Sequence, residues 1–300
     1  MKLQVIVLTY NHQIFIERAL RGVQNQKVDF ELEVLIADDC STDETVKIVE
    51  EFKKSNSVKI QLFKNESNKG ILHNVKFLLQ KVTAPYIAIL DGDDFWNYSN
   101  KLQSQVDFLD SNSEFNGSFH DAAIIHKEMA VEKKLFKGAK TYSQLYKYNE
   151  EVHLADMIKR LIIPTSSLVS RVGFINENNL ALLENNYSIA WKLTCLSINK
   201  SKFYYFNETW STYVNHLSGF SKKDNLKFHE HHISFLNAIK DKADFKYNKR
   251  EIYSTLASEQ LVIIEREKAP TLRKILGLIT YTRYAIISWF YGIKLHIVNH

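Results

Sequence analysis

The chain has 300 residues, of which 45% are hydrophobic and 24% charged, as in an ordinary globular protein with a sizeable core. The formal net charge is +5, and residues 221–300 hold 14 Lys and Arg against 8 Asp and Glu. No nucleic-acid-binding motif organises this charge, so a nucleic acid partner is excluded. Cys40 and Cys195 lack metal-ligand spacing and suit small buried roles in a reducing cytosol. The first apolar run is too short for a signal peptide, so we expect a cytoplasmic protein.

Strand-like apolar runs alternate with helix-spaced apolar residues through the first 110 residues. The predicted strands are 5–8, 34–37, 58–63 and 86–90, and the predicted helices are 16–23, 46–52, 72–81 and 101–109. Strands and helices that alternate in this way form a mostly parallel sheet with helices on both faces. The expected fold class is therefore α/β, with a Rossmann-like sheet flanked by helices.

The pattern changes twice further along the chain. A strand is predicted over 119–126, a mixed region follows as far as residue 216, and helices are predicted over 226–239 and 250–267. We therefore divide the chain near residues 110 and 220 into three parts. These are residues 1–110, residues 111–220 and a C-terminal helical extension (221–300).

Polar clusters follow three of the predicted strands, and one of them crowds three carboxylates into four positions. The clusters are Thr9-Tyr10-Asn11, Asp38-Asp39-Cys40-Ser41 and Asp91-Gly92-Asp93-Asp94. Ligands bind beyond the carboxyl ends of the strands in such sheets, so the clusters are expected along one edge. Carboxylates this close raise one another's pKa unless a cation or a donor-rich ligand lies among them. The pattern suits a nucleotide with a divalent metal.

The ordered series VIVLTYN, LIADDCSTDET, NKGILHN, YIAILDGDDFW and STYVNH resembles the family 2 glycosyltransferases of the GT-A fold, over roughly residues 3–220. The resemblance implies inverting transfer of a sugar from a nucleoside diphosphate sugar, expected to be UDP-linked, to a hydroxyl group, with Mn²⁺ or Mg²⁺ as cofactor. By the same analogy, the acceptor is a glycan or lipid-linked glycan in bacterial surface polysaccharide or glycoconjugate synthesis. The oligomeric state stays open.

The resemblance also implies that residues 1–110 form the nucleotide-sugar-binding half and residues 111–220 the acceptor-binding half. It assigns roles to individual residues as well. Asp93 is the expected metal ligand, and His216 is the expected second contact to the metal or the diphosphate. The late motif reads Tyr-Val-Asn-His where relatives have Tyr-Arg-x-His, which puts one phosphate contact in doubt. The implied donor contacts are Thr9, Tyr10, Asn11, Asp39, Asn74, Asp91 and Gly92.

The general base expected from the resemblance falls at Ala190. Loss of a positioned base costs about 10²–10⁴-fold in rate. Three explanations are open: a deliberate substitution to trap a substrate complex, a substitute acid such as Glu184, or a weakened relative that only binds nucleotide sugar or glycan. A sugar nucleotidyltransferase is disfavoured because no glycine- and arginine-rich loop follows the first strand.

Acceptor contacts are expected at Trp96, His120, Thr165, Ser166 and Trp191. Each has a structural alternative: Trp96 can fill the core beneath the acidic loop, His120 can make a structural hydrogen bond, and the hydroxyls after Pro164 can satisfy a turn. The three histidines at 229, 231 and 232 are predicted to lie on a solvated helix face.

The tail, residues 270–300, combines aromatic and aliphatic residues with scattered Arg and Lys. Its hydrophobicity is low for a membrane span, so the pattern favours a helix lying in the interface of an anionic membrane, which would make the protein peripheral on the inner face. The alternative is an amphipathic helix packed on the protein's own core or on a second subunit.

Overall fold

The computed structural model describes residues 1–126, 151–160, 163–173, 175–184, 188–198, 201–216, 225–266 and 271–298. In the first part, strands and helices alternate as predicted. Its elements are β1 (Leu3–Thr9), α1 (Ile16–Gln24), β2 (Leu32–Asp38), α2 (Thr45–Ser55), β3 (Lys59–Lys64), α3 (Ile71–Lys81), β4 (Tyr86–Asp91), β5 (Phe95–Trp96) and α4 (Lys101–Ser111).

The second part adds further strands and, among the described residues, six α-helices. Its elements are β6 (Phe115–His126), β7 (Glu151–Val152), α5 (Leu154–Arg160), β8 (Val169–Arg171), α6 (Glu177–Ala181), α7 (Ile189–Ser197), β9 (Lys202–Asn215), α8 (Asn225–Ile239), α9 (Lys249–Arg266) and α10 (Thr271–Val298).

One sheet joins strands from both sides of residue 110, in the order β3-β2-β1-β4-β8-β6-β9-β5, with β7 paired to β9. The strands β3, β2, β1 and β4 are parallel, whereas β8 runs antiparallel to both β4 and β6. The α/β prediction is confirmed, and its parallel character belongs mainly to the first four strands. The divisions near 110 and 220 stay predictions.

The strand period of two sends alternate side chains to opposite faces of the sheet. Val5 and Val7 pack with residues of α1, α2 and α4 on one face. Ile6 and Ile89 pack on the other face, against α3 and the helices α5 and α7 to α9. Because both faces are covered, the central strands read as continuous apolar runs.

The helix α10 lies along α9, and two glycines permit the close approach. A Cβ built on Gly277 would come within 2.8 Å of the Ile264 side chain, and one on Gly292 within 3.3 Å of Arg250. Tyr284 of α10 also contacts Asn237 of α8. In the part of the chain that the structure describes, no helix combines the length and apolarity needed to cross a membrane.

Candidate functional site

The three polar clusters lie on one edge of the sheet. Thr9 at the end of β1 pairs in register with Asp38 at the end of β2, and Leu8 pairs with Asp91 at the end of β4. The edge that we expected from strand order is therefore present, and it brings the acidic residues of β2 and β4 to either side of β1.

Asn11 connects the loop after β1 to the loop after β2. Its backbone N–H donates to Ser41 Oγ at 2.9 Å, and its Oδ1 accepts from the backbone N–H of Thr42 at 2.8 Å. The Asn11 φ of 54° is left-handed, a conformation that asparagine tolerates better than most residues. Tyr10 beside it is 43% exposed, whereas Thr9 is buried. Asn11, itself exposed, thus holds the two loops together at this edge.

Asp39 organises the loop between β3 and α3. Its Oδ1 accepts from the backbone N–H of Lys69 at 2.8 Å and from Asn65 Nδ2 at 2.9 Å, and its Oδ2 accepts from the N–H of Gly70 at 2.9 Å. Burial disfavours the charged carboxylate, but hydrogen bonds from Lys69, Asn74, Asn65 and Gly70 outweigh burial and lower the pKa of Asp39. Gly70 has φ 83°, which favours glycine. Asp39 therefore holds the loop from Asn65 to Gly70 at the carboxyl end of β2.

Asn74 belongs to the same network of hydrogen bonds. It is buried at the start of α3, and its Oδ1 accepts from Asn65 Nδ2 at 2.7 Å. Asn65 therefore bridges Asn74 and Asp39, so two of the predicted donor contacts lie together.

Asp93 and His216 meet although 123 positions separate them in the chain: His216 Nε2 lies 2.8 Å from Asp93 Oδ2. The loop after β4 brings Asp93, and the residue directly after β9 is His216, which is nearly buried against Phe15 at 4.7 Å between ring centroids. Burial opposes ionisation of Asp93, but the contact with His216 and the charge of His12 outweigh it and lower the pKa of Asp93.

The pKa values of the other two carboxylates of the cluster, Asp91 and Asp94, are shifted upward. Burial, reinforced by the charge of Asp93, raises the pKa of Asp91, and burial with the charges of Asp93 and Asp91 raises that of Asp94 well above its usual range. Asp94 Oδ1 accepts the backbone N–H of Val214 at 3.0 Å and so joins the loop to β9. Of the three carboxylates, Asp93 is the one whose surroundings lower its pKa.

His12 is a site residue that the sequence reasoning missed. Its Nε2 lies 3.8 Å from Asp93 Oδ2, on the carboxylate oxygen that His216 also contacts. A Cβ built on Gly92 would come within 2.8 Å of His12 Nδ1, so only glycine fits beneath this imidazole. Its position directly after the polar cluster of β1 was the available signal.

The donor atoms at this edge suit a divalent cation that also binds a phosphate. In the described ranges, no group of three or more His, Cys, Asp or Glu side chains is arranged to hold a metal ion. Mg²⁺ sites commonly use one or two carboxylates with substrate phosphates and water as the remaining ligands. Asp93 and His216 supply a carboxylate oxygen and an imidazole nitrogen 2.8 Å apart, which fits such a shared site.

Trp96 and Ser166, two of the predicted acceptor contacts, lie in the core. Trp96 is 4% exposed, and its Nε1–H donates to the backbone carbonyl of Ser166 at 2.6 Å. Ser166 is buried, and its hydroxyl contacts Ser211 Oγ. Neither side chain is placed to stack on or bond a sugar, because both are satisfied inside the protein. Thr165 is half-buried and stays a prediction.

His120 and Trp191 are also buried. His120 Nδ1 lies 2.7 Å from the carbonyl of Asp121, which agrees with the structural alternative for this histidine. Trp191 donates from Nε1 to the carbonyl of Met157 at 2.8 Å, so its indole fastens α7 to α5. Direct acceptor contact by either residue conflicts with this burial.

The position of the expected base lies in α7, whose second residue is Ala190. Glu184, the suggested substitute, is exposed and accepts from Ser234 Oγ of α8 at 3.4 Å. Its role as a base stays a prediction. The expectation that all three histidines near residue 230 are solvated is wrong for His232, which is fully buried because α9 covers that face of α8.

Solved structures with the same architecture are glycosyltransferases. The structure of S. aureus TarS residues 1–349 in complex with UDP has a TM-score of 0.65 at 18% identity, covering 95% of this chain and 81% of that one. The mannosyltransferase PcManGT of Pyrobaculum calidifontis in complex with GDP-Man and Mn²⁺ has a TM-score of 0.54 at 17% identity, with 97% and 84% covered. These likenesses show the fold, and they confirm the GT-A prediction.

Sequence relatives match only part of the chain. A Mycobacterium tuberculosis protein of uncharacterized function is 28% identical over 169 residues, covering 56% of this chain and 46% of that protein. TarS of Staphylococcus aureus, a poly(ribitol-phosphate) beta-N-acetylglucosaminyltransferase, is 36% identical over 114 residues, 37% of this chain and 19% of TarS. The GalNAc(5)-diNAcBac-PP-undecaprenol beta-1,3-glucosyltransferase of Campylobacter jejuni is 37% identical over 95 residues, 31% and 30% of the two chains. The chain thus spans less than half the length of these relatives.

The family model for glycosyl transferase family 2 matches residues 4–163. That range covers more than half of the chain and contains β1, β2, β4 and the loops that carry Asp39 and Asp93. The match confirms the resemblance seen in the motifs, and this chain belongs to glycosyl transferase family 2.

Proposed function

We propose that this chain transfers a sugar, with inversion, from a UDP-linked donor to a hydroxyl group of a glycan acceptor in bacterial surface polysaccharide or glycoconjugate synthesis. The observation that carries the proposal is the contact between His216 Nε2 and Asp93 Oδ2, which are 2.8 Å apart. The contact lies at the same edge of the sheet as Asp39 and the loop that Asp39 holds. The TarS complex with UDP supports the choice of nucleotide, and the undecaprenol-linked substrate named for the Campylobacter relative supports a glycan or lipid-linked acceptor.

In this proposal, each part of the edge has a separate task. The loop held by Asp39 and Asn74 receives the base and ribose, and Asp93 with His216 holds a divalent cation, Mn²⁺ or Mg²⁺. The cation supplies Lewis-acid stabilisation of the charge that develops on the departing diphosphate. Inversion follows from a single displacement in which the acceptor oxygen attacks from the face opposite the diphosphate. The acceptor hydroxyl must then lose its proton to a base.

The C-terminal helix supports a peripheral location on the inner face of the membrane. The α10 range has Arg and Lys but no Asp or Glu. Its exposed side chains include Ile279 at 60%, Trp289 at 63% and Phe290 at 58%. A basic helix with exposed aromatic residues is suited to lie on an anionic lipid surface, with the rings at headgroup depth.

The test is UDP binding by isothermal titration calorimetry, with and without Mn²⁺, for the native chain and for Asp93→Asn. We expect Mn²⁺ to strengthen UDP binding to the native chain by about tenfold or more, and this gain to disappear in Asp93→Asn, because the neutral amide is a poor metal ligand. Asp107→Asn, an exposed change on α4, is the matched control and should behave like the native chain.

Equal UDP affinities with and without Mn²⁺ in the native chain would remove the metal from the proposal. A chain that binds UDP with Mn²⁺ but hydrolyses no nucleotide sugar, even after Ala190→Asp, would favour the alternative that Ala190 raises, a relative that binds nucleotide sugar or glycan without turnover.

A further inference from the structure

Three polar side chains, at or near the helices α7, α8 and α9, are connected by two consecutive hydrogen bonds. Ser188 Oγ lies 2.8 Å from His232 Nε2, and His232 Nδ1 lies 3.3 Å from Glu259 Oε1. Ser188 precedes α7, His232 is on α8 and Glu259 is on α9. A serine, a histidine and a carboxylate in this order provide a path along which a proton can move from the serine hydroxyl to the imidazole.

Two of these three side chains are buried, and the third, Ser188, is partly exposed. Ser188 is half-buried, His232 is fully buried and Glu259 is 5% exposed. The imidazole is held between Trp191 and Phe228, at 4.7 and 4.0 Å between ring centroids. Only the serine end is open to solvent or to a substrate, and packing fixes the imidazole in place.

The backbone at Ser188 is unusual for its residue type. Its φ of 51° and ψ of 39° are left-handed, and its side chain does not cap α7. A serine held in this region costs energy, which the surrounding structure must offset, and such residues cluster at functional sites. The hydroxyl that could cap the helix is instead turned to His232.

The charges around the imidazole favour a neutral histidine. Burial lowers the pKa of His232 and outweighs the opposite effect of Glu259, and the charges of Lys192 and His229 lower it further. His231 also interacts electrostatically with His232, and Glu230 and Lys227 interact with His231. Burial also opposes ionisation of Glu259, but its contacts with His232 and His229 outweigh burial and lower the pKa of Glu259.

The carboxylate fixes the tautomer of this imidazole. Ionised Glu259 only accepts hydrogen bonds, so Nδ1 of His232 carries the proton that it donates. The Nε2 lone pair then faces the Ser188 hydroxyl.

We propose that Ser188, His232 and Glu259 form a proton relay that takes up the proton of the acceptor hydroxyl during glycosyl transfer. The inference rests on the function proposed above, which requires a base. Ser188 lies two residues before Ala190, so the relay occupies the segment in which the sequence has alanine instead of the expected carboxylate.

Protons and electron pairs balance if the transfer is a single displacement. The acceptor O–H proton passes to Ser188 Oγ while the Ser188 proton passes to His232 Nε2. The freed electron pair of the acceptor oxygen bonds to the anomeric carbon, and the bond from that carbon to the diphosphate breaks. Glu259 stays ionised and stabilises the imidazolium. Ser188 is the only member that touches the acceptor, and His232 and Glu259 act through it.

The test measures hydrolysis of UDP-GlcNAc with Mn²⁺, in which water replaces the acceptor, together with UDP affinity and thermal stability. Ser188→Gly removes the hydroxyl while glycine adopts the left-handed backbone without strain, so the fold should be retained. We expect Ser188→Gly and His232→Gln to lower kcat about 10²-fold or more, with UDP affinity unchanged. The control is His153→Gln, an exposed histidine that contacts none of the three relay residues, and its kcat should stay within about twofold.

The pH profile separates a relay from a merely structural role. In the native chain, kcat should fall as the pH falls through the pKa of His232, because a protonated imidazole cannot accept the proton, and this acid limb should be absent in His232→Gln. The relay is overturned if Ser188→Gly keeps native kcat, or if His153→Gln loses as much activity as His232→Gln.

A second measurement decides the relay without turnover. Nitrogen-15 NMR of the imidazoles, assigned with His232→Gln, should show His232 neutral and protonated on Nδ1 at pH 7.5. A proton on Nε2, or an imidazolium, would overturn the relay because no lone pair would face Ser188. If the native chain fails to bind UDP and to hydrolyse the donor, the proposed function fails with it, and the relay then has no acceptor proton to take.

Discussion

At the scale of single residues, Asp39 is the carboxylate with the most complete set of partners at the sheet edge. It accepts from two backbone N–H groups and one amide, so its charge is balanced before any ligand arrives. Its contribution to a nucleotide pocket therefore includes the shape of the loop from Asn65 to Gly70, in addition to any direct bond.

Asp39→Asn is expected to destabilise the protein by about 1–3 kcal/mol at pH 7, because an amide cannot accept from both sides and one buried N–H loses its partner. The pKa of Asp39 is lowered in the folded protein, so this stabilisation is present above the unfolded pKa of about 3.9 and is lost as the pH falls through the lower folded pKa. Urea unfolding of both chains from pH 7 to pH 3 measures this difference, and we expect it to shrink toward the acid end.

The exposed change Asp29→Asn controls for the loss of one negative charge, since Asp29 bonds only Gln103 of α4 among the side chains described. A native-like stability of Asp39→Asn at pH 7 would contradict the role of Asp39 in holding the loop.

At the scale of elements, α4 shows that the buried face of a helix can include a charged residue type in addition to the apolar residues that predict the face. Lys101, its first residue, is fully buried, and its Nζ has no hydrogen-bond partner among the described residues. The amine lies 4.3 Å from the centroid of the Trp96 ring. Burial lowers the pKa of Lys101 well below its usual range.

Lys101→Met should stabilise the fold by about 1 kcal/mol or more, because a methionine fills similar space without a buried amine. Because the pKa of Lys101 is lowered in the folded protein, the unfolded chain binds this proton more tightly, so native stability rises with pH up to the unfolded pKa of about 10.4 and the gain from Lys101→Met is larger at low pH. Differential scanning calorimetry at pH 6 and pH 9 tests both points. Lys53→Met, exposed on α2, should change neither. A lower stability of Lys101→Met at both pH values would contradict the account.

The local spacing of apolar residues was sufficient to predict most helices and strands. It also predicted that the polar clusters lie at the carboxyl ends of the parallel strands. Helix spacing placed α1 within one residue of its observed bounds, and the strand rule brought Asp39 and Asp91 to one edge. The burial of Trp96 and His232 could not be read in the same way, because it depends on Ser166 and Glu259, which are 70 and 27 positions distant. Short-range periodicity contains no information about such partners.

At the scale of the whole molecule, α10 gives the protein one basic and aromatic surface on the side of the helical extension. Trp289→Ser combined with Phe290→Ser should weaken binding to phosphatidylglycerol vesicles by about tenfold or more, since burial of two aromatic side chains is lost. Co-sedimentation with phosphatidylglycerol and with phosphatidylcholine vesicles measures the effect. Tyr247→Ser removes a 77% exposed ring outside α10 and is the matched control.

Binding by the native chain that is equal for both lipids, or undiminished in the double variant, would contradict the membrane proposal. The helix would then be expected to pack on a second copy, and sedimentation velocity of the native chain and the double variant would show it.

The closure of the acidic loop onto β9 has a consequence for folding order. Asp93 and Asp94 meet His216 and Val214 only when β9 has entered the sheet, although all the other edge residues lie within the first 94 positions. A polypeptide that ends near residue 200 would contain the complete acidic motif and lack its partners. Contacts between such distant positions form late, since the closure of a long loop precedes them. The pair proposed to bind the cation is thus complete only in the finished sheet, and we expect an unfinished or clipped chain to lack the proposed metal site.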